Sequence, residues 1–112
     1  MPERKGYSAL PFATLAAFGF AAGTAAAGLG PEDAKRLEHL VLQDCGSCHG
    51  LTRKGGLGSP LTRDALSHAA PEALVSIILD GVPGTAMPPW RPLLSEDEAR
   101  WIADYLLTEP AK

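Results

Sequence analysis

Cys45-Gly46-Ser47-Cys48-His49 is the place in this chain where residue types and spacing together specify chemistry. Two thiols separated by two residues, followed at once by an imidazole, form the C-x-x-C-H pattern that attaches c-type haem. Each sulfur adds to one vinyl group of the macrocycle, and the two-residue spacer puts both thioethers on one edge. The histidine that follows swings beneath the iron and ligates it through a ring nitrogen. Cys45 and Cys48 are therefore the candidate covalent attachment points of one haem c, and His49 is the candidate proximal iron ligand.

Three other uses of the motif compete. A thioredoxin-like dithiol needs a βαβ context that the pattern of apolar residues does not supply. A zinc site needs two further ligands at suitable spacing, and His39 and His68 form no second cluster. A disulfide between Cys45 and Cys48 would close a very small, strained ring.

A sixth iron ligand is the next requirement. Met1 leaves with the leader described below, so Met87 is the methionine of the mature chain. It stands in Gly84-Thr85-Ala86-Met87-Pro88-Pro89-Trp90. Proline after Met87 biases it away from helix, so this thioether sits on a stiff, extended segment rather than filling a core. His/Met coordination raises the haem potential and suits an electron carrier, which makes Met87 the candidate distal ligand. Bis-histidine ligation through His68 is the rival, and His39 is expected to be solvated. The second ring nitrogen of His49 needs an acceptor, expected from Pro60 or a neighbour in Gly58-Ser59-Pro60-Leu61. Trp90, Trp101, Tyr105, Leu61, Ile77 and Ile78 are candidates to line a haem pocket. Arg53, Lys54 and Arg91 are candidates to reach a propionate.

The elements that must position these groups fit in 112 residues, enough for one small domain. The hydrophobic fraction is 46% and the charged fraction 21%, as in a globular protein. The net charge of −3 leaves no basic surplus to neutralise phosphates, so nucleic-acid binding is excluded from the expected functions. Arg4 and Lys5, an apolar run from Ala9 to Ala22 and small residues from Gly23 to Ala27 follow the order of a secretory signal peptide. Residues 1–27 are expected to be the leader, cleaved after Ala27, and 28–112 the working domain in the periplasm. An uncleaved leader would instead act as a membrane tether, because Gly6 to Pro31 is long enough to span a bilayer. A mature chain this short buries little core, so a cofactor is expected to help stabilise it.

Pro31 opens a helix with Glu32 and Asp33 in its first turn and Ala34, Leu37, Leu40 and Val41 at helical spacing, predicted to end at Asp44. Thr62 is placed to cap a short turn over 63–66. Pro71 opens a helix with Leu74, Ile77 and Ile78 on one face and Gly81 as its stop. Ser95-Glu96-Asp97-Glu98 is a capping box, with Leu94 and Ala99 in the staple positions and Ile102, Tyr105 and Leu106 as the buried stripe of a last helix running to Leu107. The glycines of 50–58 and the prolines of 83–92 keep those stretches out of regular structure. The predicted fold class is all-α: three to five short helices wrapped around covalently attached haem.

Taken together, the Cys45–His49 motif, the Gly58-Ser59-Pro60-Leu61 loop, Met87-Pro88 and the closing helix begun by Leu94-Ser95 resemble the class I cytochromes c over the whole mature chain. The wording of Asp44 to Thr52, of Gly55 to Gly58 and of Pro83 to Pro92 is similar to that of the small cytochrome c55X (NirC) family of denitrifying bacteria. The resemblance implies the cytochrome c fold, in which the first and last helices cross, and one-electron transfer rather than an enzyme's catalysis. It also implies a redox protein partner: cytochrome cd-type nitrite reductase as electron acceptor or, alternatively, the proteins that mature its d-type haem. One departure is Ser59 before Pro60, where many class I members carry a different small residue. Contact with the partner is expected around Pro88-Pro89-Trp90 and the Cys45–Cys48 edge, burying under about 1,200 Å² as transient encounters do.

Overall fold

The computed structural model describes residues 28–111 without a break and, ahead of them, Gly6, Ala9, residues 11–17 and Gly19. The expected cleavage point after Ala27 lies outside the described residues. No helix among those described is long and apolar enough to cross a membrane.

The first helix, α1, spans Pro31–Leu40, with Pro31 in its first turn and the Asp33 carboxylate accepting the Gly30 N–H at 3.2 Å. The sequence predicts an end at Asp44, but the chain stays helical to His49. A π-helical turn, Val41–Cys45, is followed directly by α2, Gly46–His49. No proline interrupts residues 32–49, and the Gly46 N–H reaches back five residues to the Val41 carbonyl. Such widened turns are concentrated at functional sites. The short α3, Arg63–Leu66, starts as predicted, with the Thr62 hydroxyl accepting the Ala65 N–H at 3.2 Å. Next come α4, Pro71–Asp80, and α5, Glu96–Thr108. The described residues contain no strand.

Helix α5 is the central element and packs against α1, α3 and α4. It contributes Ala99, Ile102, Ala103 and Leu106 to the core, facing Leu37 and Val41 from the first helical segment and Leu74, Val75 and Leu79 from α4. Ala99 and Ala103 carry minimal side chains one turn apart, which lets a neighbouring backbone come close. On α4 the buried arc is Leu74, Val75 and Leu79, with Ile78 partly buried, whereas Ile77 is 42% exposed. At 100° per residue Ile77 falls well outside the arc that those four define, so the predicted Leu74–Ile77–Ile78 face is rotated.

Polar contacts fix α5 against α1. The Tyr105 hydroxyl donates to Glu38 at 3.3 Å, and Arg36 pairs with Glu98. Glu98 also closes the predicted capping box: its N–H donates to the Ser95 hydroxyl at 3.1 Å and its carboxylate accepts the Ser95 N–H at 3.0 Å. Leu94 and Ala99, the staple pair, are both buried. The Ser95 N–H and then Arg36 hold the Glu98 carboxyl below the usual glutamate range.

A carboxyl whose folded value is depressed stabilises the protein above its unfolded value, and the contribution is lost as pH falls through the folded value. Glu98→Gln is therefore expected to destabilise at pH 7. Its gap from the parent should begin to close below about pH 4.3. Ser95→Ala should cost about 1 kcal/mol, seen as a Tm lower by about 4–8 °C in thermal unfolding.

Candidate functional site

Residues three and four apart on a helix share a face. Because the π turn runs straight into α2, Cys45, Cys48 and His49 lie at such positions on one continuous helical segment. Both cysteines are free thiols; Cys45 is half-buried and Cys48 exposed. Burial, reinforced by the neighbouring Asp44 carboxylate, pushes the Cys45 thiol up to about 11. At neutral pH it is thus a protonated thiol rather than a thiolate.

The His49 ring is held by one bond. Its Nδ1 lies 2.7 Å from the Ser59 carbonyl oxygen. A carbonyl can only accept, so Nδ1 carries a proton and Nε2 is the ring nitrogen left to meet a ligand. The acceptor is Ser59, and not Pro60 itself. Pro60 acts through its neighbour: a residue before proline is confined to extended backbone, which fixes the direction of the Ser59 carbonyl.

Loop 50–61 closes over the end of α2 through backbone bonds. The Gly58 N–H donates to the Cys48 carbonyl at 2.7 Å and the Gly55 N–H to the His49 carbonyl at 2.9 Å, satisfying two carbonyls that a helix end leaves open. Gly58 also packs against the imidazole: a Cβ there would lie 2.7 Å from both Cε1 and Nδ1 of His49. Leu57, just before it, is 95% exposed. A cradle that admits no side chain, an oriented imidazole with Nε2 free, and two sulfurs on the same helix form a donor set that fits covalently held haem.

Met87 is half-buried in the segment between α4 and α5. Its carbonyl accepts the Val82 N–H at 3.2 Å, and the Trp90 N–H returns to the Ile78 carbonyl at 3.0 Å. His39 and His68 are both exposed.

Several secondary candidates are engaged elsewhere. Arg53 is 5% exposed and adopts a positive φ of 62°. Its guanidinium donates to the Glu109 carbonyl at 2.8 Å and lies 5.3 Å from the centre of the Tyr105 ring. Tyr105 stacks on Trp101 at 5.1 Å. Arg91 forms a two-pronged pair with Asp80. These contacts commit Arg53 and Arg91 to protein partners rather than to a propionate. Lys54 is exposed, while Leu61, Ile78 and Trp90 pack against the protein core. Sequence reasoning missed the role of Arg53, since a basic residue in a glycine-rich loop carries no local sign of burial.

Gly58→Ala is expected to displace either the loop or the imidazole. It should cost about 1–3 kcal/mol in denaturant unfolding and weaken the Nδ1–Ser59 bond, read from the ring nitrogen shifts by NMR.

Comparison with known proteins identifies the family. The family model described as cytochrome C oxidase, cbb3-type, subunit III matches residues 32–106. A cytochrome c55X of Paracoccus denitrificans is 66% identical over 89 residues, covering 77% of this chain and 84% of the relative. The solved structure of the c-type cytochrome NirC superposes with a TM-score of 0.69 at 51% identity, covering 70% of this chain and 93% of that one. A dihydro-heme d1 dehydrogenase of Pseudomonas aeruginosa is 35% identical over 75 residues, which is 67% of this chain but 15% of that protein. With its single C-x-x-C-H motif, its helical fold and these relatives, the chain belongs to the cytochrome c55X family: c-type cytochromes of the cytochrome c fold that carry covalently bound haem c and pass single electrons.

Proposed function

We propose that residues 28–112 act in the periplasm as a one-electron donor to nitrite reductase, after a leader of residues 1–27 has directed export. In this reading Cys45 and Cys48 would hold haem c by thioethers, and His49 Nε2 and the Met87 thioether would be the two protein ligands offered to its iron. The single observation that carries it is the commitment of His49 Nδ1 to the Ser59 carbonyl, which leaves Nε2 as the ring's one free ligating atom. The chemistry supplied by bound haem c is one-electron exchange at its iron. The chain's own residues do the rest. The Ser59 carbonyl raises the basicity of the imidazole and fixes its plane. Gly58 lets the loop lie close against the ring. Pro88 and Pro89 stiffen the segment that presents the Met87 sulfur.

A second reading is favoured by one observation. The similarity to a dihydro-heme d1 dehydrogenase supports an accessory role in maturing the d-type haem of the reductase. Mixing the reduced protein with oxidised nitrite reductase in a stopped-flow experiment separates the two. Fast, saturable oxidation of the cytochrome supports electron donation, whereas no oxidation alongside capture of the maturation proteins supports the accessory role.

The periplasmic protein should have the mass of residues 28–112 plus one haem. Met87→Ala should abolish the weak far-red absorption band of methionine-ligated ferric haem and open the iron to carbon monoxide. It should also lower the potential by roughly tenths of a volt, within the span of about 0.8 V that axial ligands set.

A further inference from the structure

The segment that carries Met87 is closed on itself. It leaves α4 at Gly81 and returns to the helix it left: the Trp90 N–H donates to the Ile78 carbonyl and the Arg91 N–H to the Leu79 carbonyl, both at 3.0 Å. Inside the loop, the Thr85 hydroxyl donates to the Val82 carbonyl at 2.7 Å and accepts the Met87 N–H at 3.3 Å. Gly81 stands where the two ends cross, with φ at 66°; a Cβ there would lie 2.6 Å from the Met87 carbonyl oxygen. Only glycine lets the returning chain pass so near.

One pair of side chains locks the mouth of this loop. Arg91 Nε donates to Asp80 Oδ1 at 2.8 Å and Arg91 Nη2 to Asp80 Oδ2 at 3.0 Å. The same guanidinium lies 3.8 Å from Glu96 Oε1 at the start of α5. The Asp80 and Arg91 side chains are 58% and 53% exposed, and an exposed ion pair is ordinarily worth little. Two features set this one apart. Its parallel bonds match the fork of a guanidinium to the two oxygens of a carboxylate. It also joins the two ends of a loop instead of two points on one rigid helix. The hydrogen bonds from Arg91 hold the Asp80 carboxyl below its usual range, so the pair is charged through neutral and mildly acid pH.

We infer that Asp80 and Arg91 are positioning residues for the Met87 thioether: by closing the loop at its base they fix the register in which the sulfur is presented to the iron. The inference rests on Met87 being the distal ligand. Opening the clamp leaves the loop closed by backbone bonds alone and raises the fraction of molecules in which Met87 has left the iron. Lysine cannot replace Arg91, because a point charge lacks the two-pronged bond.

The test uses the purified haem-bearing ferric protein and follows the far-red methionine band with temperature. Arg91→Gln and Asp80→Asn should each raise the methionine-dissociated fraction about fivefold at a fixed temperature, the upper end for an exposed pair. The double variant should do no more than Arg91→Gln alone, since that substitution already removes the pair with Asp80 as well as the contact with Glu96. Arg91→Lys should resemble Arg91→Gln. Arg100→Gln, which breaks the exposed Arg100–Glu72 pair on α4 and α5, should leave the band unchanged. Additive effects in the double variant would overturn the inference, as would an equal shift from Arg100→Gln. Met87→Ala keeps the two claims apart. If that variant retains the band, the ligand assignment fails and takes the clamp with it. If Met87→Ala loses the band while Arg91→Gln and Asp80→Asn match the parent, the clamp alone is overturned.

Discussion

The bond from His49 Nδ1 to the Ser59 carbonyl is the constraint on which the site depends. An imidazole at the end of a helix can turn about two side-chain torsions and exchange its proton between two nitrogens. One 2.7 Å bond to an atom that can only accept removes the tautomeric choice and fixes the plane of the ring. That bond requires the loop after α2 to fold back within ten residues, and the loop does so almost entirely with backbone. Glycine N–H groups cap the Cys48 and His49 carbonyls, and Gly58 gives the ring a surface with no side chain in the way. The glycines of this stretch are there because two backbones and an imidazole occupy the same few ångströms.

The loop needs an anchor of its own, and Arg53 supplies it. Its N–H donates to the Gly50 carbonyl and its carbonyl accepts the Leu61 N–H, so its backbone closes both ends of the turn. Its side chain reaches the Glu109 carbonyl and the Tyr105 face. Burying a guanidinium in a positive-φ residue is costly, and one of its nitrogens, Nη1, has no partner. Such a residue persists where its surroundings over-determine it. Here it connects the turn that orients His49 to the end of α5, the helix around which the core is built.

What could be read from residues alone follows from how local each determinant is. The capping box at Ser95, the Thr62 cap, and Pro71 with Gly81 are set by side chains within a few positions of one another, and all appear where expected. The end of the first helix was not legible, because Val41–Cys45 widens its turn to place Cys45 instead of stopping. Ile77 looked buried by spacing, yet the face of α4 is chosen by α5, which no local pattern reports. The partners of Arg53 and Arg91 were equally hidden. Arg53 contacts a carbonyl 56 positions away, and Arg91 looked like any charge flanked by prolines.

The two segments proposed to ligate the iron are held by different kinds of force. Around His49 the restraints are backbone hydrogen bonds and a close glycine contact, all within ten residues and none carrying charge. They respond little to ionic strength or to protonation of side chains. Around Met87 the loop also closes by backbone bonds, but its mouth is latched by an exposed ion pair that salt screens and acid weakens. Local stability in a protein is uneven, and the element with fewer buried contacts opens first. Under the proposed ligation, the methionine segment is therefore the half expected to yield and the histidine cradle the half expected to hold.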